Sequence, residues 1–244
     1  REVIVVDDAS DRDDSWAVIQ RYARGDSLVR AVRNETNAGA VATYNRGVAL
    51  AGGEYVFLAA ADDYVLPGFF ERAVTALDRH PHAGLGCGYD SYRRGAAGAV
   101  VPNASGWCDT PTYFGPDEVA RRVRCNLAAH AMVMRRGPFL AAGGYLPDLA
   151  WYTDWFAYLT IAFRHGLVHV PDTLAVRTLD LHGAYSAGAK SRERNVAALG
   201  AFLDRITSPA YADVAPLFRR SGAATYFGAD LIRVEPPWLR GTVP

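Results

Sequence analysis

Two pairs of neighbouring aspartates, Asp7 with Asp8 and Asp62 with Asp63, each follow a short apolar run of the kind that forms a buried strand. Paired carboxylates suit a divalent cation, because Mg²⁺ and Mn²⁺ take oxygen ligands and can bridge a protein to phosphate groups. A local role is the alternative for Asp62 and Asp63, since Asp commonly caps a turn ahead of a helix, and Pro67 is expected to open one. The sequence therefore indicates either a cation and phosphate site or a capping turn here.

Asp154 stands at the start of a predicted helix over residues 154–164. A carboxylate held against a hydroxyl can accept its proton as that hydroxyl attacks, which accelerates a reaction by about 10²–10⁴-fold. The alternative is again local, since an Asp that begins a helix often serves only as its N-cap. Both interpretations place Asp154 at a helix terminus, and only its surroundings distinguish them.

The elements that must position these carboxylates alternate between strand and helix. Apolar runs and helical periodicity predict strands over 2–6, 29–32, 55–59, 85–92, 129–134 and 174–176, and helices over 15–23, 40–51, 67–79, 116–123, 154–164 and 192–206. This alternation predicts an α/β fold with a mainly parallel sheet, in which ligands bind outside the carboxyl ends of the strands. The two aspartate pairs are then expected at one edge of the sheet.

Five short motifs occur in a fixed order: Asp7-Asp8-Ala9-Ser10, Asn37-Ala38-Gly39, Asn45-Arg46-Gly47, Gly53-Glu54-Tyr55 and Ala61-Asp62-Asp63. Together they resemble the amino-terminal half of family 2 glycosyltransferases of the GT-A fold, and the resemblance covers roughly residues 1–190. It implies a GT-A type mixed sheet, mainly parallel and flanked by helices, with a Rossmann-like nucleotide-binding half. The expected division is a domain over 1–206, with a nucleotide-sugar-binding half (1–95) and an acceptor half (96–190), followed by a carboxyl-terminal helix and tail (207–244).

By this resemblance the nucleotide of a sugar donor contacts polar and glycine residues near the strand ends, namely Asp7, Asp8, Ser10, Asn37, Gly39, Asn45 and Asp62. Asp7 or Asp8 is expected to contact the base, and Asp62 with Asp63 to hold Mn²⁺ or Mg²⁺ on the diphosphate. The chain departs from the family at Ala60, where the first carboxylate of the metal motif is usual. The predicted cation site therefore has one protein ligand fewer than is usual in the family.

Residues 143–147 and 152–155 look like the acceptor half of the same family. By the resemblance Asp154 matches the acid that inverting members use as general base, while Thr153 replaces the more usual Glu. His182 occupies the place where the family often has a His that ligates the metal or meets the diphosphate, because neutral imidazole binds metals and imidazolium binds anions. A solvated loop histidine is the alternative for His182.

The implied function is glycosyl transfer with inversion, from a nucleotide-diphosphate sugar to a hydroxyl of a carbohydrate, lipid-linked or small-molecule acceptor, as in polysaccharide biosynthesis. A catalytically inactive nucleotide-sugar-binding homologue is the alternative, and Ala60 and Thr153 favour it. A nicotinamide-dependent oxidoreductase is disfavoured, because no Gly-x-Gly-x-x-Gly follows any predicted strand. Nucleic acid is not an expected partner, since Lys plus Arg and Asp plus Glu both number 26 and no basic block occurs.

Cysteine content, hydropathy and the start of the chain bear on location. Three widely spaced cysteines, Cys87, Cys108 and Cys125, argue against a complete disulfide framework and fit a reducing compartment. No window holds the roughly 18 apolar residues of a spanning helix, so the chain is predicted to be cytoplasmic or peripheral to the inner face of the membrane, with membrane contact only through flanking segments. Because Arg1 leads at once into an apolar run, the family's first strand is expected to be missing upstream, which would expose one edge of the sheet.

Overall fold

The computed structural model describes residues 1–94, 98–123, 127–179 and 191–223, in which strands and helices alternate as the sequence predicts. The strands are β1 (Val3–Asp7), β2 (Val29–Arg33), β3 (Tyr55–Val56), β4 (Tyr64–Val65), β5 (Leu85–Cys87), β6 (Asp90–Arg94), β7 (Val101–Asn103), β8 (Thr112–Phe114), β9 (Met132–Arg135), β10 (Leu167–His169) and β11 (Ala175–Leu179). The α-helices are α1 (Ser15–Gly25), α2 (Ala40–Leu50), α3 (Phe69–Arg79), α4 (Pro116–Arg122), α5 (Arg136–Ala141), α6 (Thr153–His165), α7 (Arg192–Thr207) and α8 (Ala215–Arg220).

The central sheet joins five strands in the order β3-β9-β5-β10-β8, and its two faces carry different helices. Successive side chains of a strand point to opposite faces, so Met132 and Met134 of β9 enter one core cluster and Val133 enters another. Phe69 and Leu77 of α3 pack in the cluster with Val133. The sheet therefore lies between α3 on one side and α6 on the other.

Helix α6 lies at the centre of the main core, because ten of its 13 residues are buried. A helix that is apolar on all sides must be enclosed on all sides. Phe156 of α6 packs against Phe202 of α7 and Phe218 of α8, with ring centroids 5.9 and 5.5 Å apart. This packing holds the amino-terminal end of α6, which carries Asp154, in one position.

The mixed, helix-flanked sheet confirms the predicted fold class, but its pairing is less parallel than the sequence analysis predicts. Among the described strands, β1–β2, β5–β10 and β6–β11 are parallel pairs. The pairs β3–β9, β5–β9, β8–β10, β4–β11 and β6–β7 are antiparallel. One reason is that β9 runs antiparallel to both of its neighbours, β3 and β5, which accounts for two of the five antiparallel pairs.

Strand β1 is less enclosed than its apolar sequence predicts. Val3 is 53% exposed, and Ile4, Val5 and Val6 are only partly buried. In the described ranges β1 forms a two-stranded sheet with β2. A sheet of two strands buries less of its apolar side chains than a wider sheet does. Helix α2 approaches one face closely, since a Cβ placed on Gly47 would lie 3.6 Å from Val6 Cγ2.

The predicted strand over residues 85–92 is divided into β5 and β6. The Gly88 N–H donates to the carbonyl of Ala131 at 2.9 Å, while the Tyr89 N–H donates to the carbonyl of Asp172 at 2.9 Å. The chain therefore crosses here from the central sheet to the four-stranded sheet β4-β11-β6-β7.

None of the helices in the described ranges combines the length and the apolar content needed to cross a bilayer.

Candidate functional site

Asp62 and Asp63 lie in the turn between β3 and β4, at one end of the central sheet. The Asp63 N–H donates to the carbonyl of Ala60 at 3.3 Å, and the Asp63 Oδ1 accepts a hydrogen bond from the Thr178 N–H of β11 at 2.9 Å. Asp62 is exposed, whereas Asp63 is partly buried. The carboxylate of Asp63 thus ties the turn to β11 and does not cap α3, which begins at Phe69 after a left-handed Gly68.

The pKa of Asp63 is higher than usual, mainly because burial opposes its charge. The neighbouring carboxylate of Asp62 raises this pKa further, while the Thr178 hydrogen bond and the charge of Arg177 oppose the increase. Two adjacent carboxylates that repel each other gain by sharing a cation. The electrostatics of this turn are therefore compatible with a cation between Asp62 and Asp63.

Asp154 lies in the first turn of α6 and is partly buried. Its Oδ1 accepts a hydrogen bond from the Trp155 N–H at 2.6 Å, yet burial outweighs this bond and raises the pKa of Asp154 to about 6. The helix begins one residue earlier, at Thr153, and the residue before it is Tyr152. Asp154 therefore lies one residue inside α6 and not at its N-cap, and its carboxylate also has a local role there as the acceptor of the Trp155 N–H.

The loop ahead of α6 is held by polar contacts from both sides. The Thr153 Oγ1 accepts a hydrogen bond from the Leu146 N–H at 2.5 Å. The Asn45 side chain of α2 donates to the carbonyl of Tyr145 at 2.7 Å and accepts from the Tyr145 N–H at 2.9 Å. Ala150 adopts φ 48° and ψ −122°, which is costly for a residue with a Cβ. The side chain of Asn45, which was predicted to bind nucleotide, is thus hydrogen-bonded to the backbone of Tyr145 and links the two halves of the chain.

Tyr44 brings the two groups of carboxylates together. Its pKa is raised first by burial and then by the negative charges of Asp63, Asp62 and Asp154. The Tyr44 hydroxyl donates to the carbonyl of Ala59 at 3.1 Å. Acids from two widely separated stretches of sequence are therefore close enough to Tyr44 for their charges to act on its hydroxyl group.

Two further tyrosines connect Tyr44 to the core. The Tyr44 and Tyr145 rings meet edge to face with centroids 5.6 Å apart, and the Tyr145 hydroxyl hydrogen-bonds to that of Tyr158. The pKa values of Tyr145 and Tyr158 are raised by burial, and the charge of Asp154 adds to both increases. The sequence analysis missed all three tyrosines, because their relation to Asp154 depends on contacts between distant segments. The position of Tyr44 beside the Asn45 motif and that of Tyr145 within residues 143–147 could have singled two of them out.

The carboxylate of Asp8 is hydrogen-bonded to the loop that leads into α2. Its Oδ1 accepts hydrogen bonds from the Asn34 side chain at 2.6 Å and from the Ala38 N–H at 2.8 Å, and its Oδ2 accepts one from the Gly39 N–H at 2.8 Å. Burial alone would raise the pKa of Asp8, but these hydrogen bonds outweigh it and lower the pKa. Gly39 has φ +82°, a conformation that favours glycine. Asp8 therefore shapes the loop that contains Asn37 and Gly39.

Asp7 and Ser10 form a second set of contacts beside this loop. Asp7 is 4% exposed, and its Oδ2 lies 2.9 Å from the Arg33 Nε in a salt bridge. The same guanidinium donates to the carbonyl of Ser10 at 2.7 Å. Asn37 is exposed. The structure thus brings Asp7, Asp8, Ser10, Asn37 and Gly39 to the carboxyl end of β1.

A cavity of 340 Å³ lies beside the Asp62–Asp63 turn. Its lining residues are Phe57, Leu58, Ala59, Ala60, Asp63, Tyr64, Val65 and His130. Behind His130, the Asp90 Oδ1 lies 2.9 Å from the Arg177 Nε. The sequence analysis did not single out His130, although a lone histidine inside the apolar run 127–134 signals a buried imidazole.

No group of three or more His, Cys, Asp or Glu side chains in the described ranges is arranged to hold a metal ion. Asp62 and Asp63 still fit Mg²⁺ or Mn²⁺ chemically, because Mg²⁺ commonly binds through one or two carboxylates and completes its shell with phosphate oxygens and water. His182, the third predicted ligand, lies outside the described residues.

Comparison with known proteins gives one family. Residues 1–139, more than half of the chain, match the sequence model of the family described as glycosyl transferase family 2. An uncharacterized protein of Mycobacterium tuberculosis is 29% identical over 198 residues, which cover 79% of this chain and 54% of that protein. The chain thus spans about half the length of the curated relatives that it matches most fully.

Two solved structures resemble the whole fold. The 1–349 fragment of Staphylococcus aureus TarS in complex with UDP-GlcNAc superposes with a TM-score of 0.68 at 16% identity, covering 96% of this chain and 70% of that one. GalNAc-T7 with UDP, GalNAc and Mn²⁺ superposes with a TM-score of 0.56 at 15% identity, covering 97% of this chain and 52% of that one. At such identities the likeness shows the fold alone, and that fold is the GT-A fold predicted from the sequence.

Proposed function

We propose that this chain, which belongs to glycosyl transferase family 2, transfers a sugar from a nucleotide-diphosphate sugar to a hydroxyl group of an acceptor. The observation that carries the proposal is that Asp62, Asp63 and Asp154, from two distant stretches of sequence, lie near enough to Tyr44 for each of their charges to raise its pKa. One group of acids can hold the leaving part of a donor while another, reaching the same place from α6, takes a proton.

For the donor we propose a nucleoside diphosphate sugar at the carboxyl end of β1. The loop shaped by Asp8 presents backbone around Asn37 and Gly39, and Asp7 and Ser10 lie beside it. The two solved neighbours were determined with UDP-GlcNAc and with UDP, so uridine nucleotides are the first donors to test. Asn45 contributes by fixing the loop at Tyr145, on the acceptor side.

For the cation we propose Asp62 and Asp63 as the protein ligands, with His182 as a third. The structure of GalNAc-T7 with Mn²⁺ supports divalent cation use in this fold. When bound, such a cation offsets the charge that develops on the leaving diphosphate. Asp63 is held in place by the Thr178 N–H, which leaves its other oxygen available.

For the chemical step we propose Asp154 as general base. The acceptor oxygen forms a bond to the anomeric carbon as the bond from that carbon to the diphosphate oxygen breaks, and the electron pair leaves with the diphosphate. The proton of the acceptor hydroxyl passes to the Asp154 carboxylate. A pKa of about 6 keeps this carboxylate ionised at neutral pH while bringing its basicity near the working range. Attack opposite the leaving group inverts the anomeric centre.

The alternative proposal is a nucleotide-sugar-binding homologue without turnover. Ala60 lines the cavity at the position where a carboxylate is usual, and Thr153 uses its hydroxyl to hold Leu146. At both positions the carboxylate expected from the family resemblance is absent.

The acceptor under the leading proposal is a carbohydrate, a lipid-linked sugar or a small molecule. The proposed location is the cytoplasm or the inner face of the membrane.

A thermal-shift screen tests the proposal directly. UDP, GDP, dTDP and their sugar conjugates are added with Mn²⁺ or with EDTA, and we expect one nucleotide series to raise the Tm. Saturation at 100 times the dissociation constant stabilises by about 2.7 kcal/mol, which is several degrees for a chain of this size. The selected donor is then assayed for release of its nucleoside diphosphate. Binding without release would support the inactive homologue, and no shift with any nucleotide would overturn both proposals.

A further inference from the structure

Arg33 is the last residue of β2, and its guanidinium lies among the residues proposed to bind the nucleotide. The Cα atoms of Arg33 and Asp7 are paired across the parallel strands β1 and β2. The Arg33 Nε lies 2.9 Å from the Asp7 Oδ2, and the Arg33 Nη2 donates to the carbonyl of Ser10 at 2.7 Å. The Arg33 Cζ stands over the Trp16 ring, 5.4 Å from its centroid. These three contacts hold the guanidinium in one orientation at the carboxyl end of β1.

One end of this guanidinium is left for a ligand. A guanidinium carries five N–H donors in a rigid plane, and two neighbouring donors can bind a pair of acceptors together. Asp7 and Ser10 use the edge formed by Nε and Nη2. Among the residues that the structure describes, no hydrogen-bond partner meets the other end, formed by Nη1 and the second N–H of Nη2. Because the side chain of Arg33 is 39% exposed whereas that of Asp7 is 2% exposed, the accessible part of the guanidinium is this end, which faces away from Asp7.

The charges around Arg33 favour a neutral group over a phosphate. The carboxylate of Asp7 offsets the charge of Arg33, and Asp8 follows Asp7 directly. Arg46 adds a second positive charge, since its Nη1 donates to the carbonyl of Arg33 at 3.0 Å. Two positive and two negative side chains leave little net field to attract an anion. The diphosphate is proposed at the Asp62–Asp63 turn, which follows a strand of a different sheet, so the base is the part of the nucleotide that suits Arg33.

Guanine has the edge that matches two parallel N–H donors. Its O6 and N7 are neighbouring acceptors, and arginine commonly binds both at once. Adenine places an N–H donor beside N7, cytosine presents an N–H donor on the equivalent edge, and uracil, like thymine, presents O4 as a single acceptor there. Guanine is therefore the base that satisfies both free N–H groups of Arg33.

We propose that Arg33 selects a guanine nucleotide, with its Nη1–H and Nη2–H groups donating to O6 and N7 of the base. The inference rests on the proposed glycosyl transfer and specifies its donor class, a guanosine diphosphate sugar. It also gives Asp7 a role, because this buried carboxylate orients the guanidinium and leaves the base contact to Arg33. The two solved neighbours with uridine nucleotides are 16% and 15% identical to this chain, and a shared fold does not fix the base.

Analogues of GDP test the contact on the wild-type chain. Affinities for GDP, UDP and 7-deaza-GDP, in which a C–H group replaces N7, are measured by calorimetry with Mn²⁺ present. We expect GDP to bind about fivefold or more tightly than UDP, because a bidentate pair discriminates between bases to that extent. We expect 7-deaza-GDP to bind about three- to tenfold more weakly than GDP, because one of the two acceptors is lost.

Arg33→Lys tests the residue. The ammonium keeps a positive charge beside Asp7 but cannot supply two coplanar donors to a base. We expect a loss of about fivefold or more for GDP and for IDP, which keeps O6 and N7 but lacks the 2-amino group, and almost no loss for UDP. Arg30→Lys is the matched control, because Arg30 is exposed on the same strand and strand alternation places its side chain on the opposite face of β2. Arg30→Lys should bind every nucleotide as the wild type does.

Three results would overturn the inference while leaving glycosyl transfer intact. One is tighter binding of UDP than of GDP by the wild type. Another is equal affinity of the wild type for GDP and 7-deaza-GDP, and this comparison decides alone if a thermal melt shows that Arg33→Lys does not fold. The third is an equal loss for GDP and UDP in a folded Arg33→Lys, which would indicate a phosphate contact or a structural role. Failure of the wild type to bind any nucleoside diphosphate would instead remove the proposed function itself.

Discussion

Asp8 and Asp154 are the same side chain in opposite surroundings. Asp8, after β1, accepts hydrogen bonds from the side chain of Asn34 and from two backbone N–H groups, and its pKa is lowered. Asp154, in the first turn of α6, accepts one hydrogen bond from the backbone of Trp155, and burial raises its pKa to about 6. Hydrogen bonds stabilise the charge of the first carboxylate, whereas the fold makes the charge of the second costly.

This contrast distinguishes an acid that maintains structure from an acid that is available for chemistry. Hydrogen bonds to both oxygens stabilise the ionised form of a carboxylate, so its affinity for a proton is low. A poorly solvated carboxylate has a higher affinity for a proton, because protonation removes a charge that the surroundings do not stabilise. We therefore expect substitution of Asp8 to affect mainly folding, and substitution of Asp154 to affect mainly turnover.

The largest expected effect is on transfer in Asp154→Asn. The amide cannot accept the acceptor's proton, so kcat should fall by about 10²–10⁴-fold, while affinity for the nucleoside diphosphate changes little. Product formation from the selected donor is measured under saturating conditions. Asp148→Asn is the matched control, since Asp148 is exposed in the same loop and pairs with Arg205 at 2.8 Å. A rate in Asp154→Asn within threefold of wild type would remove Asp154 from the chemical step.

A smaller effect is expected on stability in Asp8→Ala. Removal of the carboxylate leaves the N–H groups of Ala38 and Gly39 without their acceptor, which costs about 1–3 kcal/mol. For a chain of this size the Tm should fall by about 3–10 °C. Asp11→Ala, at an exposed position nearby, serves as control in the same thermal melt. If Asp8→Ala melts like the wild type and only loses nucleotide affinity, Asp8 acts on the ligand and the contrast with Asp154 is wrong.

The smallest expected effect is a pH-dependent gain of stability in Asp154→Asn. Because the folded pKa of Asp154 is raised, the native state binds this proton more tightly than the unfolded chain, so ionisation destabilises the fold as pH rises from about 4 through 6. At 1.36 kcal/mol per pKa unit the full cost is about 3 kcal/mol, and solvent that reaches the partly exposed side chain reduces it to about 1–2 kcal/mol. The amide avoids this cost and can keep the hydrogen bond from Trp155. Thermal melts should show the variant about 2–6 °C above wild type at pH 8, with the difference shrinking towards zero near pH 4. A constant difference across this range would mean that the raised pKa is not its source.

The elements of the fold could largely be predicted, because local sequence patterns determine them. The helices α1, α2, α4 and α6 and the strand β2 begin and end within about two residues of their predicted bounds, since each depends on apolar periodicity and on turn residues beside it. Strand β10 (Leu167–His169) was missed, because three buried residues carry too little pattern to be recognised. The reversed direction of β9 was missed too, since strand pairing depends on partners far away along the chain.

The candidate site also has a part that the sequence predicts and a part that it does not. Residue types and spacing identified the pairs Asp7–Asp8 and Asp62–Asp63, and the family resemblance added Asp154. Their environments could not be predicted, because hydrogen bonds and burial come from segments tens of residues distant, as with the Ala38 N–H at Asp8.

The sequence by itself determined which side chains carry charge and which elements hold them. Only the tertiary structure decided that the charges of Asp62, Asp63 and Asp154 all act on Tyr44, and that His130 is buried in the wall of a cavity. The physical reason is that ionisation and hydrogen bonding depend on solvent access and on neighbours in space, and packing around α6 and the central sheet sets both.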